Sequence, residues 1–231
     1  MAPMNQDTVR PCAAAGCVPP ADWALVLPLK PLATAKSRLG AYAGELRGEL
    51  ALAFARDTVA AALACAAVAR VLVVTDDPLA GAVLSAAGAL VVPDRPARGL
   101  NAALVHGAEV ARELHPDAPV AALSADLPAL RAPELAHALA RVPSGGRALV
   151  PDTPGVGTTL LAAAPGVALR PAFGGASRER HRASGAREIT GADLRSLRRD
   201  VDTGEDLLEA LALGVGPHTA AVAGSLAALR G

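Results

Sequence analysis

The chain has 231 residues, with 22 Lys plus Arg matched by 22 Asp plus Glu, so no net field draws it to nucleic acid or to an acidic membrane surface. Aromatic residues make up 2% of it, too few for platforms that stack the bases of single-stranded nucleic acid. Its length suits one domain with a sizeable core, and its longest apolar run, Val59 to Ala69, is too short to span a bilayer.

Residues 1–21 are expected to form a disordered extension, because Ala14-Ala-Gly-Cys17 lacks the apolar run that a cleaved leader needs. Residues 22–231 are then one domain. Cys12, Cys17 and Cys65 have no metal-ligand spacing. Cys65, set among alanines, is expected to pack as a small hydrophobe in a protein of the reducing cytoplasm.

Trp23 to Leu27 is an apolar strand of the kind buried on both faces in a parallel sheet, and Pro28 ends it by withdrawing a donor. Lys30, Lys36 and Arg38 follow within nine residues. Cations past the carboxyl end of a strand stand where open α/β sheets bind ligands, so this loop is either an anion grip or a solvated basic turn. Glu45 to about Ala67 is expected to be one long helix, with Leu46, Leu50 and Phe54 at i, i+4 spacing. A second buried strand, Arg70 to Thr75, stops at Asp76-Asp-Pro78, where Asp77 or its neighbour caps a short helix to about Ala87.

Leu90 to Pro93 reads as a third strand, an Ala-rich helix ends near His115, and Pro119 to Ser124 reads as a fourth strand. Such alternation predicts an α/β fold with a mostly parallel sheet whose loops gather along one edge. Beyond Pro133 the pattern loosens. Arg147 to Asp152, Thr158 to Ala162 and Ala186 to Ile189 read as short strands of a small antiparallel extension, followed by a helix from about Glu205 to Leu213 and an Ala-rich end.

Asp126 comes directly after the fourth strand, and Asp200 and Asp202 are two apart, so in extended chain both point the same way. Three carboxylates opposite phosphates suit Mg2+. Asp126 as a helix N-cap and Asp202 in an Asx-turn before Gly204 are the plainer readings. Phe173-Gly-Gly-Ala-Ser-Arg178 offers main-chain N–H groups, a hydroxyl and a cation as a second anion cradle, and Thr158 and Thr159 add hydroxyls. Neither a G-x-x-x-x-G-K-[ST] loop, nor a G-x-G-x-x-G turn, nor a G-x-S-x-G elbow is present, which disfavours P-loop NTPases, dinucleotide dehydrogenases and α/β-hydrolases.

Taken together, Pro28-Leu-Lys-Pro-Leu32 with Lys36-Ser-Arg-Leu39, Thr75-Asp-Asp77, Gly99-Leu-Asn-Ala-Ala103, Ala125-Asp-Leu-Pro128, Gly157-Thr-Thr-Leu160, Phe173-Gly174 with Ser177 and His181, and Asp200-Val-Asp-Thr203 resemble the guanylyltransferases of coenzyme F420 biosynthesis. Those enzymes are similar to the molybdenum-cofactor guanylyltransferase. The resemblance runs from Trp23 to Leu213 and implies a Rossmann-like three-layer nucleotidyltransferase fold. It implies transfer of GMP from GTP to phosphoenolpyruvate or 2-phospho-L-lactate, with Mg2+ as cofactor; the Ala/Arg/Gly-heavy composition resembles a bacterial member and favours phosphoenolpyruvate. By the same resemblance Lys30, Lys36 and Arg38 hold the triphosphate, and Asp94 with Gly99, Leu100 and Asn101 meets guanine and ribose. Asp126, Asp200 and Asp202 bind the metal, while Thr158 or Thr159, Gly174 and Ser177 hold the acceptor, with Arg178 and His181 either assisting or simply exposed on a helix. Other readings are the same transfer to a 3-phosphoglycerate-type acid, a related transferase acting on a sugar phosphate or a molybdopterin, and a silent nucleotide-binding protein. The oligomeric state is open, a homodimer included.

Overall fold

A computed structural model describes residues 23–95 and 97–229, so the extension expected over residues 1–21 lies outside the described residues. β1 (Trp23–Pro28) buries its four central residues and ends at the proline, as expected. A short turn of helix, α1 (Gly40–Ala43), leads into the long α2 (Arg47–Leu63). β2 (Val68–Val74), α3 (Pro78–Ala86), β3 (Leu90–Val92), α4 (Leu100–Leu114) and β4 (Val120–Leu123) then alternate. The second half comprises α5 (Ala132–Ala140), β5 (Arg147–Pro151), β6 (Thr158–Ala163), α6 (Ser177–Ala183), β7 (Ala186–Glu188), α7 (Arg195–Arg198), α8 (Gly204–Leu213) and α9 (Pro217–Ala228).

Among the described residues seven strands form one sheet in the order β3-β2-β1-β4-β6-β5-β7. β1 pairs in parallel with β2 and β4, β2 with β3, and β5 with β7; only the pairings of β6 with β4 and β5 are antiparallel. The antiparallel portion is therefore a single strand, narrower than the three-strand extension read from the sequence. It arises because β5 and β6 are joined by a tight turn, in which the Asp152 carboxylate accepts N–H bonds from Val156 (2.8 Å) and Gly157 (2.7 Å).

Period-2 alternation splits the core between the two faces of the sheet. Leu25, Leu27, Val71 and Val73 pack with Val59 of α2, Leu84 of α3 and Leu135 and Leu139 of α5. Val26, Leu72 and Val74 pack with Leu104 and Ala108 of α4 on the other side, completing three layers. Gly107 brings α4 close to the sheet, since a Cβ there would lie 2.4 Å from a Val26 methyl and 2.8 Å from a Val74 methyl. A third cluster, with Leu39, Leu50, Phe54, Val201, Leu207 and Leu226, joins α2, α8 and α9 beside the basic loop.

Two elements depart from the sequence reading. α2 stops at Leu63 and not near Ala67, because an alanine run carries no stop signal of its own and the pairing of Val68 with Trp23 sets where β2 begins. α5 was hidden by Pro133, which sits in the first helical turn where a missing N–H costs nothing. Cys65 is a buried free thiol, as its alanine surroundings implied. Among the described residues no helix is long and apolar enough to cross a membrane.

Candidate active site

Leaving β1, the basic loop is held at three points. Leu29 donates its N–H to the Val74 carbonyl at 2.9 Å. Asp77 caps α3 through Ala80 N–H (2.9 Å) and with its other oxygen accepts Leu32 N–H (2.8 Å). These bonds, Ala80 first, hold the Asp77 carboxyl below the usual carboxylate range. Arg47, in the first turn of α2, donates to the carbonyls of Ala33 (2.6 Å) and Ala35. Lys36, next in the chain, adopts a left-handed backbone (φ 54°), a conformation costing a side-chain-bearing residue about 1 kcal/mol or more unless neighbours enforce it.

The acidic side is built on β4. Ser124 N–H donates to Thr159 O (2.9 Å), and Leu127 N–H donates to the buried hydroxyl of Thr58 from α2 (3.0 Å). Asp126 is fixed between them. Its main-chain carbonyl accepts Val201 N–H at 3.1 Å, which lays the Asp200 to Asp202 segment alongside. Thr203 and Asp206 then form a capping box that starts α8. The Asp202 carboxylate turns to Lys36 and Arg38 in place of the Asx-turn before Gly204, and the Asp126 side chain reaches a lysine instead of a helix start.

These two sides meet. Lys36 Nζ donates to Asp126 and, at 2.7 Å, to Asp202, while Arg38 lies 3.8 Å from Asp202. Burial alone would lower the Lys36 ammonium, but the facing carboxylates of Asp126 and Asp202 outweigh it and hold its pKa above the ordinary value. Burial would raise Asp202, yet Lys36, Arg38 and Lys30 together keep it below the usual range. Asp200, pressed by burial and then by the charges of Asp126, Asp202 and Asp152, is pushed up to about 7. Arg38 keeps 76% of its side chain exposed and Lys30 is exposed too, so two cations face solvent beside the cluster.

Among the described residues no three carboxylate, imidazole or thiol groups stand ready around one point as a metal centre. The Lys36 ammonium lies between Asp126 and Asp202 in that place. The donor set nevertheless fits a hard divalent cation: three carboxylates, all oxygen, with one lysine to balance them.

A second polar cluster lies at the start of α6. Thr158 Oγ1 is 3.0 Å from His181 Nδ1 and 3.2 Å from Ser177 Oγ, and all three residues are buried. Thr159 instead bonds the Val150 carbonyl (3.4 Å). Gly174 has φ 95°, a conformation that leaves the turn before α6 dependent on glycine. Asn101 clamps this turn from α4: its Oδ1 accepts Phe173 N–H (2.7 Å) and its Nδ2 donates to Phe173 O (3.2 Å). Gly99 (φ 90°) opens α4, and Asp94 Oδ1 accepts Ala97 N–H (3.2 Å) in a turn of its own. Arg178 is spent on Glu188 and on the Gly155 carbonyl, whereas His181 is fully buried and not an exposed helix residue.

The chain matches the model of the MobA-like NTP transferase domain over residues 47–198. It is 62% identical over 206 residues to a phosphoenolpyruvate guanylyltransferase of Thermomonospora curvata, covering 89% of this chain and 90% of that one. It is 63% identical to the protein of the same name from Streptomyces coelicolor, covering 89% and 97%. The chain belongs to the MobA-like NTP transferase family, in its phosphoenolpyruvate guanylyltransferase branch. The fold is also that of a nucleotidyl transferase from Methanothermobacter (TM-score 0.53, 18% identity, 81% of this chain and 94% of that one) and of Rv0371c from Mycobacterium tuberculosis (TM-score 0.51, 19% identity, 84% and 99%).

In this MobA-like transferase the sequence motifs mark the groups that converge but not those that hold them. Arg47, Thr58 and the second oxygen of Asp77 act on main-chain atoms far along the chain, and no spacing signals such a bond. His181 has a measurable consequence. Burial, then the charges of Arg147 and Arg180, lower its pKa to about 4 from 6.5. On acidification the unfolded chain protonates first, so the stability this residue supports is complete above pH 6.5 and is lost as pH falls towards 4. Denaturation series at pH 7 and pH 4 should show the wild type losing about 3 kcal/mol more than His181→Asn, which has no such group to protonate.

Proposed function

We propose that the protein transfers GMP from GTP to phosphoenolpyruvate, giving enolpyruvyl-2-diphospho-5'-guanosine and pyrophosphate, as a step of coenzyme F420 biosynthesis in the cytoplasm. One observation carries the reading: Lys36 joins Asp126 to Asp202 beside Asp200, with Arg38 adjacent and Lys30 in the same field, at the carboxyl edge of the sheet. Cations suited to a triphosphate and carboxylates suited to a divalent cation thus stand together, which supports the reading.

A phosphate monoester has a second pKa of about 6, so the acceptor is mostly dianionic at pH 7 and needs no general base. An acceptor phosphate oxygen forms the new bond to the α-phosphorus of GTP as the bond from that phosphorus to the bridging oxygen breaks, and the electron pair leaves with pyrophosphate. Lys30, Lys36 and Arg38 neutralise the departing charge. Asp126, Asp200 and Asp202 would hold Mg2+, which supplies further neutralisation of the phosphates. Asp94 and the Gly99-Leu100-Asn101 turn take guanine and ribose, a carboxylate suiting the N1–H and 2-amino donors that adenine does not present. Ser177, Gly174 and the Thr158 hydroxyl face the acceptor, whereas the Thr159 hydroxyl turns to the Val150 carbonyl and its own carbonyl to Ser124 N–H, which favours Thr158 of the two threonines.

Mass spectrometry of products from GTP, Mg2+ and equal phosphoenolpyruvate, 2-phospho-L-lactate and 3-phosphoglycerate tests this. The enolpyruvyl product is expected to dominate, to vanish with EDTA and to return with added Mg2+. Dominance of either other product would refute the acceptor assignment, and GTP binding with no product from any acid would mark a silent binding protein.

A further inference from the structure

We infer that His181 is a positioning residue for the acceptor, its Nδ1–H tautomer leaving one hydroxyl proton of the Thr158–Ser177 pair free to donate to an acceptor oxyanion. The inference rests on the proposed acceptor role of Thr158 and Ser177 and adds to it a residue that touches no substrate.

The main-chain N–H of Ala172 points at His181 Nε2 at 2.8 Å. An amide N–H only donates, so Nε2 carries the lone pair and the ring proton is on Nδ1. That proton is then donated to Thr158 Oγ1, 3.0 Å away. Thr158 and Ser177 bring one hydroxyl proton each and share one bond, at 3.2 Å. One of the two protons fills that bond. The other has no claim on it and is available to a guest.

The opposite tautomer would reverse the outcome. With the lone pair on Nδ1, the Thr158 hydroxyl would donate to the ring, the Ser177 hydroxyl would donate to Thr158, and neither proton would remain. A phosphate or carboxylate accepts hydrogen bonds and donates none once ionised, so the direction of this short chain decides whether the cluster attracts or repels it. The ring itself is locked. Its edge-to-face contact with Phe173 (centroids 5.0 Å apart, 69° between planes) and the clamp of Asn101 on the Phe173 main chain fix the turn that carries Ala172. His181 is 0% exposed, and burial together with Arg147 and Arg180 keeps the ring neutral at working pH, as a single-proton tautomer requires.

Two measurements on the full chain test it. In ¹⁵N-labelled protein at pH 7.5, the imidazole of His181 should give the shifts of a protonated Nδ1 and a bare Nε2; the reverse pattern would overturn the proposal. In kinetics, His181→Asn places an amide donor near the Nδ1 position, whereas His181→Phe keeps a ring but no donor. The Phe variant should raise the KM for phosphoenolpyruvate about 10- to 100-fold, the Asn variant less than about fivefold, and neither should move the KM for GTP. Equal effects in the two variants, or parallel changes in both KM values, would mean a merely structural histidine. Ser177→Ala runs alongside: a raised acceptor KM there with no response at position 181 sinks this inference alone, while no response at Ser177 sinks the acceptor site itself. Should His181→Phe not fold, the ¹⁵N shifts still decide.

Discussion

Asp126→Asn is expected to cut pyrophosphate release by about a thousandfold or more at saturating GTP, Mg2+ and acceptor, with the thermal midpoint within a few degrees of wild type. Asparagine keeps the shape of the side chain and leaves the main-chain bonds around position 126 in place: Val201 N–H to the carbonyl, and Leu127 N–H to Thr58. What changes is one charge. Lys36 retains Asp202, and Asp200 is relieved of one of the carboxylates that press on it. Stability therefore has little to lose at a spot where like charges crowd together, which is how sites shaped for function trade against folding. Phosphoryl chemistry, by contrast, depends on charge in place, and an amide would be a poorer ligand than a carboxylate for the hard divalent cation that Asp126, Asp200 and Asp202 would hold. Initial rates and melting curves on the same preparation check both halves. Activity within tenfold of wild type would remove Asp126 from the chemistry, and a collapse of the midpoint would make it a structural residue.

Asp126 was legible in the sequence because its signal is local: a buried apolar strand, then an acid. The same holds for Lys36, Arg38, Asp200 and Asp202, whose chemistry and placement at element ends announce them. That they converge could be expected from topology, since alternating strands and helices bring the carboxyl ends of β1 and β4 side by side. The order of the second half of the sheet was not legible. β6 is inserted between β4 and β5, so its position depends on long-range pairing of Leu160 to Ala163 with Val120 to Leu123, and the short apolar runs are compatible with other neighbours. The burial of His181 was hidden for a similar reason. On its own helix it lies among Arg178, Arg180 and Arg182, a solvated context by sequence, and only the packing of the Phe173 turn encloses it.

Asp57→Ala should cost about 3 kcal/mol of folding free energy, the largest expected loss from a residue with no contact to substrate. Asp57 sits in α2 at 5% exposure, and nothing in its run of Ala, Arg and Thr marks it as more than a helix residue that ought to face water. Its carboxylate accepts His218 N–H at 3.1 Å and Thr219 N–H at 2.7 Å, in the first turn of α9. It caps a helix 161 residues away, in the role a local Ser or Asp would usually take, and it meets the positive end of that helix dipole. Gly216 is required there, since a Cβ would lie 2.4 Å from the Asp57 carboxyl carbon. The same turn also reaches the site: Gly216 N–H donates to Pro128 O at 2.9 Å, just past Asp126 and Leu127. Alanine leaves one buried donor, Thr219 N–H, and one half-buried donor, His218 N–H, without acceptors and loosens α9 from α2, so the urea midpoint should fall with the slope unchanged. Asp57→Asn, keeping one acceptor oxygen and no charge, should lose about half as much. Turnover per folded molecule is expected to drop only a few-fold, because the Asp126 loop keeps its bond to Thr58. A loss under about 1 kcal/mol in the alanine variant would show that α9 docks through its apolar contacts with α2 and that the buried carboxylate is incidental.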